Sequence, residues 1–337
     1  MKNLKLPHFW YSQDDNSRSR LLSIFLIPCA WVYRFFCFIH RAITAESQSP
    51  IPLICVGNVT VGGAGKTPTS RMLLDIIKEH EKFNTVCFLM RGYGGNYSGA
   101  MEVDPSAHTT WDVGDEALMQ AQYAPVIVSR SKKKGAELAA EIGYDIIIMD
   151  DGFQNPTIRK NFSLLVIDGQ FGFGNGRCLP AGPLREPVLT ALKRTHCALI
   201  INRSNEQDLS ILKDQKSYDA ILKLHTKKSE TSQTLQDNEK IIAFAGISRP
   251  EKFFQTLKDN GFEVHSKFGF PDHHVYTHGQ INALYQRSQK TNARLVTTEK
   301  DWIRLSKSWK EKIDYVKISV IPDDEFKDHF FNILDKL

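Results

Sequence analysis

Short runs of consecutive apolar residues punctuate the middle of the chain: IPLICV (51–56), NTVCFL (84–89), APVIVS (124–129), DIIIMD (145–150), SLLVID (163–168) and CALIIN (197–202). Most are continuous rather than alternating, the pattern of strands covered on both faces. Amphipathic helical stretches lie between several of them, for instance 68–80 and 132–142. The alternation predicts an α/β fold, a mainly parallel sheet with helices on both faces. Residues 226–240 (TKKSETSQTLQDNEK) are polar with a single Leu, the composition of a linker or exposed hairpin. The rhythm then resumes on a smaller scale. IIAFAG (241–246), a helix over about 249–259, FEVHSKF, a helix near 278–289, ARLVTT (293–298) and DYVKISV (314–320) predict a second, smaller α/β unit. The expected division is therefore 1–50, 51–225, a linker over 226–240, and 241–337.

The most apolar stretch stands apart, at residues 21–39 (LLSIFLIPCAWVYRFFCFI). Its length would just cross a hydrocarbon core, which needs about 20 apolar residues. Pro28 inside it and the charge of Arg34 count against a clean span, while Trp31 and Tyr33 suit the headgroup level. Arg18, Arg20, Arg34 and Arg41 flank or punctuate it. Three readings follow: a monotopic helix on an anionic membrane face, a true span, or a helix buried against the domain. The first is preferred. No small-residue cleavage site follows, which argues against a signal peptide.

With 337 residues, 42% apolar and 24% charged, the chain has the composition of an ordinary globular protein. Its net charge of +5 is too small at this length to indicate a nucleic-acid partner. Six cysteines lie far apart with no C-x-x-C pair, so they read as reduced core residues.

Candidate chemistry begins where the first strand meets GNVTVGGAGKTPT, residues 57–69. Gly62, Gly63, Ala64 and Gly65 let the backbone curl so that successive N–H groups face phosphate oxygens. Lys66 would reach the β- and γ-phosphates, Thr67 would ligate Mg²⁺, and Pro68 suits a first helical turn. The strict phosphate-loop pattern asks for Gly at 60, where this chain has Thr60. The closer form, x-G-G-x-G-K-T, belongs to the branch of partitioning ATPases and dethiobiotin synthetase, some of which carry a Lys where Val61 stands here. Asp150 and Asp151 end an apolar strand, where a metal-organising acid belongs, although Asp-Asp-Gly alone also makes a plain turn. Asp168 ends the next strand before a Gly- and Pro-rich loop that should shape a ligand contact. Asp115-Glu116 opens a helix, either as an N-cap or as a general base for an acceptor hydroxyl.

GNVTVGGAGKTP, RGYGG (91–95), VGDE (113–116), MDDGFQ (149–154), LPAGPLREP (179–187), FPDHH (270–274) and TTEKD (297–301) together resemble the tetraacyldisaccharide 4'-kinase family. The resemblance runs almost from end to end. It implies an ATP- and Mg²⁺-dependent kinase that phosphorylates a glycolipid, a tetraacyldisaccharide phosphate, at the cytoplasmic face of the inner membrane of a Gram-negative bacterium. It implies Lys66 and Thr67 for ATP and metal, Asp150, Asp151 and Glu116 for the metal, and Asp115 as base. A dyad partner is expected at His273, with His274 as the alternative. Gln154, Asn175, Arg177 and Arg185 would contact substrate. The chain departs from the family pattern at Ala117 and Asn155, neither of which removes a catalytic group. The basic run from Arg130 to Lys134 could face anionic headgroups or simply open a solvated helix. Two competing readings are a membrane-recruited ATPase switch and a small-molecule ligase or kinase of the dethiobiotin synthetase type, which would have no use for residues 21–39. INRS (201–204) lacks the guanine-reading N-K-x-D pattern.

Overall fold

The computed structural model describes residues 7–11, 17–227 and 239–337; side chains at positions 8, 17–20, 226 and 227 fall outside the description. Most of the expected linker, residues 228–238, and the side chains of Arg18 and Arg20 therefore lie outside the described residues.

Among the described residues, one sheet of twelve strands runs through the molecule. In chain order they are β1 (Leu53–Gly57), β2 (Val86–Met90), β3 (Ala100–Glu102), β4 (Val126–Ser129), β5 (Ile146–Asp150), β6 (Phe162–Asp168), β7 (Cys197–Ile201), β8 (Ser217–Lys227), β9 (Lys240–Ala245), β10 (Glu263–Gly269), β11 (Arg294–Thr298) and β12 (Asp314–Pro322). Their spatial order is β10-β9-β11-β12-β8-β7-β6-β1-β5-β2-β4-β3. Every neighbouring pair is parallel except β12 with β8 and β4 with β3. β1, β2, β4, β5, β6 and β7 are buried along their whole length, which is why each reads as an unbroken apolar run. Four apolar clusters cover the two faces. Two lie around the strands from β1 to β7, and two smaller ones around β9, β11 and β12.

β1 sits between β6 and β5, with Val56 opposite Asp150 and Leu164. The loops after these strands therefore open onto one carboxyl edge, where α/β sheets place ligands. β8 and β12 run antiparallel over eight residue pairs, Tyr315 opposite Lys227 through Pro322 opposite Ala220. This seam joins the two parts of the sheet. The helix Asp324–Leu334 then returns Phe326, Phe330 and Leu334 to the larger core, all fully buried.

The apolar N-terminal stretch forms two helices, Ser17–Phe25 and Ile27–Ile43, broken at Leu26. Pro28 stands in the first turn of the second, where its missing N–H costs nothing. Among the described residues no helix is long and apolar enough to cross a membrane. Ala30, Tyr33, Cys37 and Arg41 turn toward the protein, and the Tyr33 hydroxyl donates to Arg185 O at 2.9 Å. Trp31, Phe35 and Phe38 are 64%, 59% and 69% exposed.

Candidate active site

The phosphate loop is pinned from outside. Val61 N–H donates to Pro183 O (2.9 Å), Arg185 N–H to Val59 O (2.7 Å), and the Tyr11 hydroxyl to Val61 O (2.7 Å). The PAGPLREP segment thus fixes the strand-side half of the loop, leaving the other half to face a ligand. Gly65, at φ 86°, precedes the helix Lys66–His80, and a Cβ there would stand 2.6 Å from Ile201 Cδ1. Only glycine meets both conditions. Lys66 Nζ donates to Asn58 Oδ1 at 3.2 Å and lies 3.6 Å from Asp151 Oδ1.

Asp150 closes β5 and is buried, and among the described residues neither of its carboxylate oxygens has a hydrogen-bond partner. Burial, countered by Lys66 and reinforced by Asp151 and Glu116, pushes its carboxyl up to about 7; the nearby Thr67 hydroxyl lowers it only in part. A buried carboxylate left this way is costly unless a cation completes it. Asp151 takes the left-handed backbone (φ 55°) and turns to cations. It accepts from Arg185 Nη1 at 2.9 Å. Burial would raise its carboxyl, but Lys66 and Arg185 outweigh that and hold it down. Gln154 donates to Asn58 O at 2.7 Å and so ties the DDGFQ turn to the phosphate loop.

Gly114 (φ 87°) lies against the Gly92–Tyr93 backbone, where a Cβ would meet Tyr93 O at 2.4 Å. The close approach sets Asp115 at the head of the helix Asp115–Gln120. Asp115 is buried, and its Oδ2 accepts from His273 Nδ1 at 2.9 Å and Arg304 Nε at 2.8 Å, with a further bond from Arg304 Nη2. Burial alone would raise this carboxyl. The His273 hydrogen bond and the charges of Lys300 and Arg304 outweigh it and hold Asp115 ionised, far below the usual carboxylate range. His273, at φ 58°, comes from the loop after β10. A left-handed backbone at a non-glycine residue is a strain that folds keep mainly at functional positions. His274 instead faces Gln280 and the Phe270 ring, so of the two histidines it is His273 that meets Asp115.

Lys300, on the short helix Glu299–Trp302, reaches Glu116 Oε1 (2.9 Å), His273 Nε2 (3.3 Å) and Asp272 Oδ1 (3.6 Å). Arg304 is braced by Gly246 O (3.1 Å) and by Asp301 (3.0 Å), which is itself fully buried. Behind them Arg71 of the helix Lys66–His80 joins Glu299 (2.5 Å) and Gln120 (2.5 Å) and stacks on Tyr123 at 3.7 Å. The sequence around Lys300, Arg304 and Asn58 gives no local sign of these contacts. TTEKD was visible, but nothing local places Arg304 on a carboxylate 189 positions away.

Arg185 and Gln154 lie together with Asp151. Asn175 and Arg177 have other company: Asn175 Nδ2 donates to Ser23 Oγ (3.1 Å) and Ala181 O (2.9 Å), and Arg177 Nη1 to Ser23 Oγ (2.8 Å). They fasten the first N-terminal helix. Within the basic run, Lys133 and Lys134 are exposed, but Lys132 is buried with no hydrogen-bond partner for its Nζ among the described residues. Burial lowers its ammonium to about 8 despite the nearby Cys55, Asp150 and Asp151. It therefore cannot meet a headgroup, contrary to the reading of the whole run as a surface patch.

Residues 22–335 match the sequence model of the family described as tetraacyldisaccharide-1-P 4'-kinase. A tetraacyldisaccharide 4'-kinase of Rhodospirillum centenum is 38% identical, covering 94% of this chain and 92% of its own. One of Parvibaculum lavamentivorans is 41% identical over 90% and 87%. The crystal structure of "apo" form LpxK from Aquifex aeolicus in complex with ATP superposes with a TM-score of 0.74 at 25% identity, covering 93% of this chain and 99% of that one.

Proposed function

The chain belongs to the tetraacyldisaccharide-1-P 4'-kinase family and is an ATP-dependent phosphotransferase of lipid A biosynthesis; we propose that its cleft acts by direct transfer between a phosphate-loop ATP and a glycolipid hydroxyl. The observation that carries the reading is the convergence of two sets of groups on one sheet edge. On one side stand Lys66 and the partnerless Asp150, on the other the Asp115–His273 pair, and Glu116 lies close enough to raise Asp150.

The triphosphate lies against Gly62, Gly63, Ala64 and Gly65, with Lys66 on the β- and γ-phosphates, Thr67 below, and Pro68 in the first turn of the helix. The donor set fits Mg²⁺: Asp150 offers two buried free oxygens and Thr67 a nearby hydroxyl. Among the described residues no three His, Cys, Asp or Glu side chains converge as ligands. Mg²⁺ keeps several waters and takes few protein oxygens. When bound, Mg²⁺ neutralises charge on the phosphate oxygens. Asp151 and Glu116 stand beside this set, balanced by Lys66, Arg185 and Lys300.

The 4'-hydroxyl of a tetraacyldisaccharide 1-phosphate enters from the His273 side. Its oxygen forms the new bond to γ-phosphorus as the bond to the β–γ bridging oxygen breaks, and ADP leaves with that electron pair. The hydroxyl proton goes to the Asp115–His273 pair, arriving at His273 Nε2. Nδ1 is already committed to Asp115, whose charge stabilises the imidazolium. Arg185 and Gln154 are placed to meet the substrate at the cleft edge.

The acyl chains keep the acceptor in a bilayer, so the enzyme works at a membrane surface, here the cytoplasmic face of the inner membrane. The N-terminal helices present the aromatic face for it, lying monotopically among anionic headgroups. Replacing Trp31, Phe35 and Phe38 together with Ser is expected to lower partition onto vesicles containing phosphatidylglycerol by 100-fold or more, each aromatic contributing about 2 kcal/mol on burial. Kinase turnover on detergent-dispersed lipid should remain within about threefold. Co-sedimentation with vesicles measures the first effect and label transfer the second.

The functional reading is tested by incubating the chain with γ-labelled ATP with and without the lipid. Label should reach the lipid, with little release of phosphate in its absence. Rapid hydrolysis indifferent to the lipid would mark a nucleotide switch instead.

A further inference from the structure

Lys300 sits where the reaction would occur, beyond its part in balancing Glu116 and in keeping Asp115 ionised. Its ammonium is 2.9 Å from Glu116, 3.3 Å from His273 Nε2 and 3.6 Å from Asp272. Nδ1 of His273 is taken by Asp115, so Nε2 is the nitrogen that can receive an acceptor hydroxyl, once the Lys300 ammonium that now donates to it turns to the incoming oxygen. Any oxygen bonded to Nε2 comes within reach of a cation that already touches that atom.

The charge around this point needs such a cation. Asp115, Glu116 and Asp272 place three carboxylates on the acceptor side, which would repel an arriving phosphoryl group. Arg304 offsets part of this, but its guanidinium faces inward: it bonds Asp115, Asp301 and Gly246 O, and its side chain is 7% exposed. Lys300 is 18% exposed, and of the two cations it is the one that reaches His273 Nε2. Burial would lower its ammonium, but Glu116, Asp115 and Asp272 outweigh that and keep it protonated.

We propose that Lys300 is a catalytic residue: its ammonium donates to the acceptor oxygen and then to the γ-phosphoryl oxygens as that group crosses from ADP to the glycolipid. Lys66 holds the phosphates at the donor end, and Lys300, delivered by the helix after β11, takes the charge at the acceptor end. The hydroxyl proton still goes to His273, and Lys300 neither gains nor loses one. This assignment rests on the kinase reading of the cleft. Stabilising charge that develops only in transfer should act on kcat rather than on ground-state binding.

The test compares wild type with Lys300→Met, Lys300→Gln and Lys300→Arg in the lipid kinase assay, with ATP affinity measured by calorimetry and folding by thermal melting. For Met and Gln, kcat should fall 100- to 1,000-fold while KM for both substrates and the affinity for ATP stay within threefold. Arg should recover at least tenfold of the loss. Should the Met variant fail to fold, the contrast between Gln and Arg decides. A rise in lipid KM with kcat kept would assign Lys300 to ground-state binding and overturn the proposal. Equal turnover of Gln and Arg would overturn it too. If wild type itself transfers no label to lipid, the kinase reading fails, a result distinct from an active wild type with an equally active Lys300→Met.

Discussion

Asp115→Ala and His273→Ala are each expected to cut kcat by 10²–10⁴ while leaving ATP binding within a few-fold of wild type. The two residues form one device. Asp115 is held ionised by Arg304 and Lys300 and grips His273 Nδ1 at 2.9 Å, so removing either partner leaves the hydroxyl proton without its acceptor. The double variant should therefore be little worse than the worse single one, because groups that act as a unit are not additive. Steady-state kinetics on all three variants, with melting curves to establish folding, make the check. Near-normal turnover by folded Asp115→Ala would remove the dyad from the chemistry. Multiplicative losses would mean that the two residues act in separate steps.

Asp150→Asn is expected to lose about 10³-fold or more in Mg²⁺-dependent turnover and yet to be more stable than wild type without metal. The sign follows from where its carboxyl titrates. An ordinary Asp titrates near 3.9 in the unfolded chain, and burial moves this one up to about 7 in the folded protein. Between those values the folded state holds the extra proton, so the stability of the metal-free protein falls as pH rises through this window and levels off above it. The Asn variant escapes that decline. Its melting temperature should exceed that of wild type by several degrees at pH 8 and match it near pH 4. The same titration governs the metal. Since Mg²⁺ requires the ionised form, its half-saturating concentration in wild type should be higher at pH 6 than at pH 7. Calorimetric melting with chelator present and Mg²⁺ titrations at the two pH values provide the measurements. A destabilised Asn variant at pH 8 would show that Asp150 is satisfied within the fold and is not waiting for a cation.

The fold was legible where burial was uniform. β1 and β5 through β7 are covered on both faces, so a continuous apolar run was enough to find them. β8 was not found. It alternates, with Tyr218 and Ala220 inward and Ile221 59% exposed, and it runs into the polar tract that reads as linker. The helix Asp324–Leu334 carried its signal in Phe326, Phe330 and Leu334, one turn apart, but too close to the chain end to stand out. The donor half of the site was legible because a phosphate loop is local: strand, glycines, Lys66, Thr67 and helix follow in order. The acceptor half is built across the sheet, and only the family resemblance brought His273 to Asp115. Nothing local pointed to the reach of Arg304 to Asp115 or of Lys300 to Glu116, each more than 180 positions away. For Asn175 and Arg177 the resemblance named polar residues in a shaped loop, while the structure gives them the N-terminal helix to hold.

Stereochemistry at phosphorus tests the direct transfer itself. With ATP made chiral at the γ-phosphorus by oxygen isotopes, a single in-line displacement by the glycolipid hydroxyl gives a phospholipid of inverted configuration, the expected result. Retention would mean two successive displacements through a phosphorylated side chain, with His273 the nearest candidate, and would contradict its role as the proton's destination.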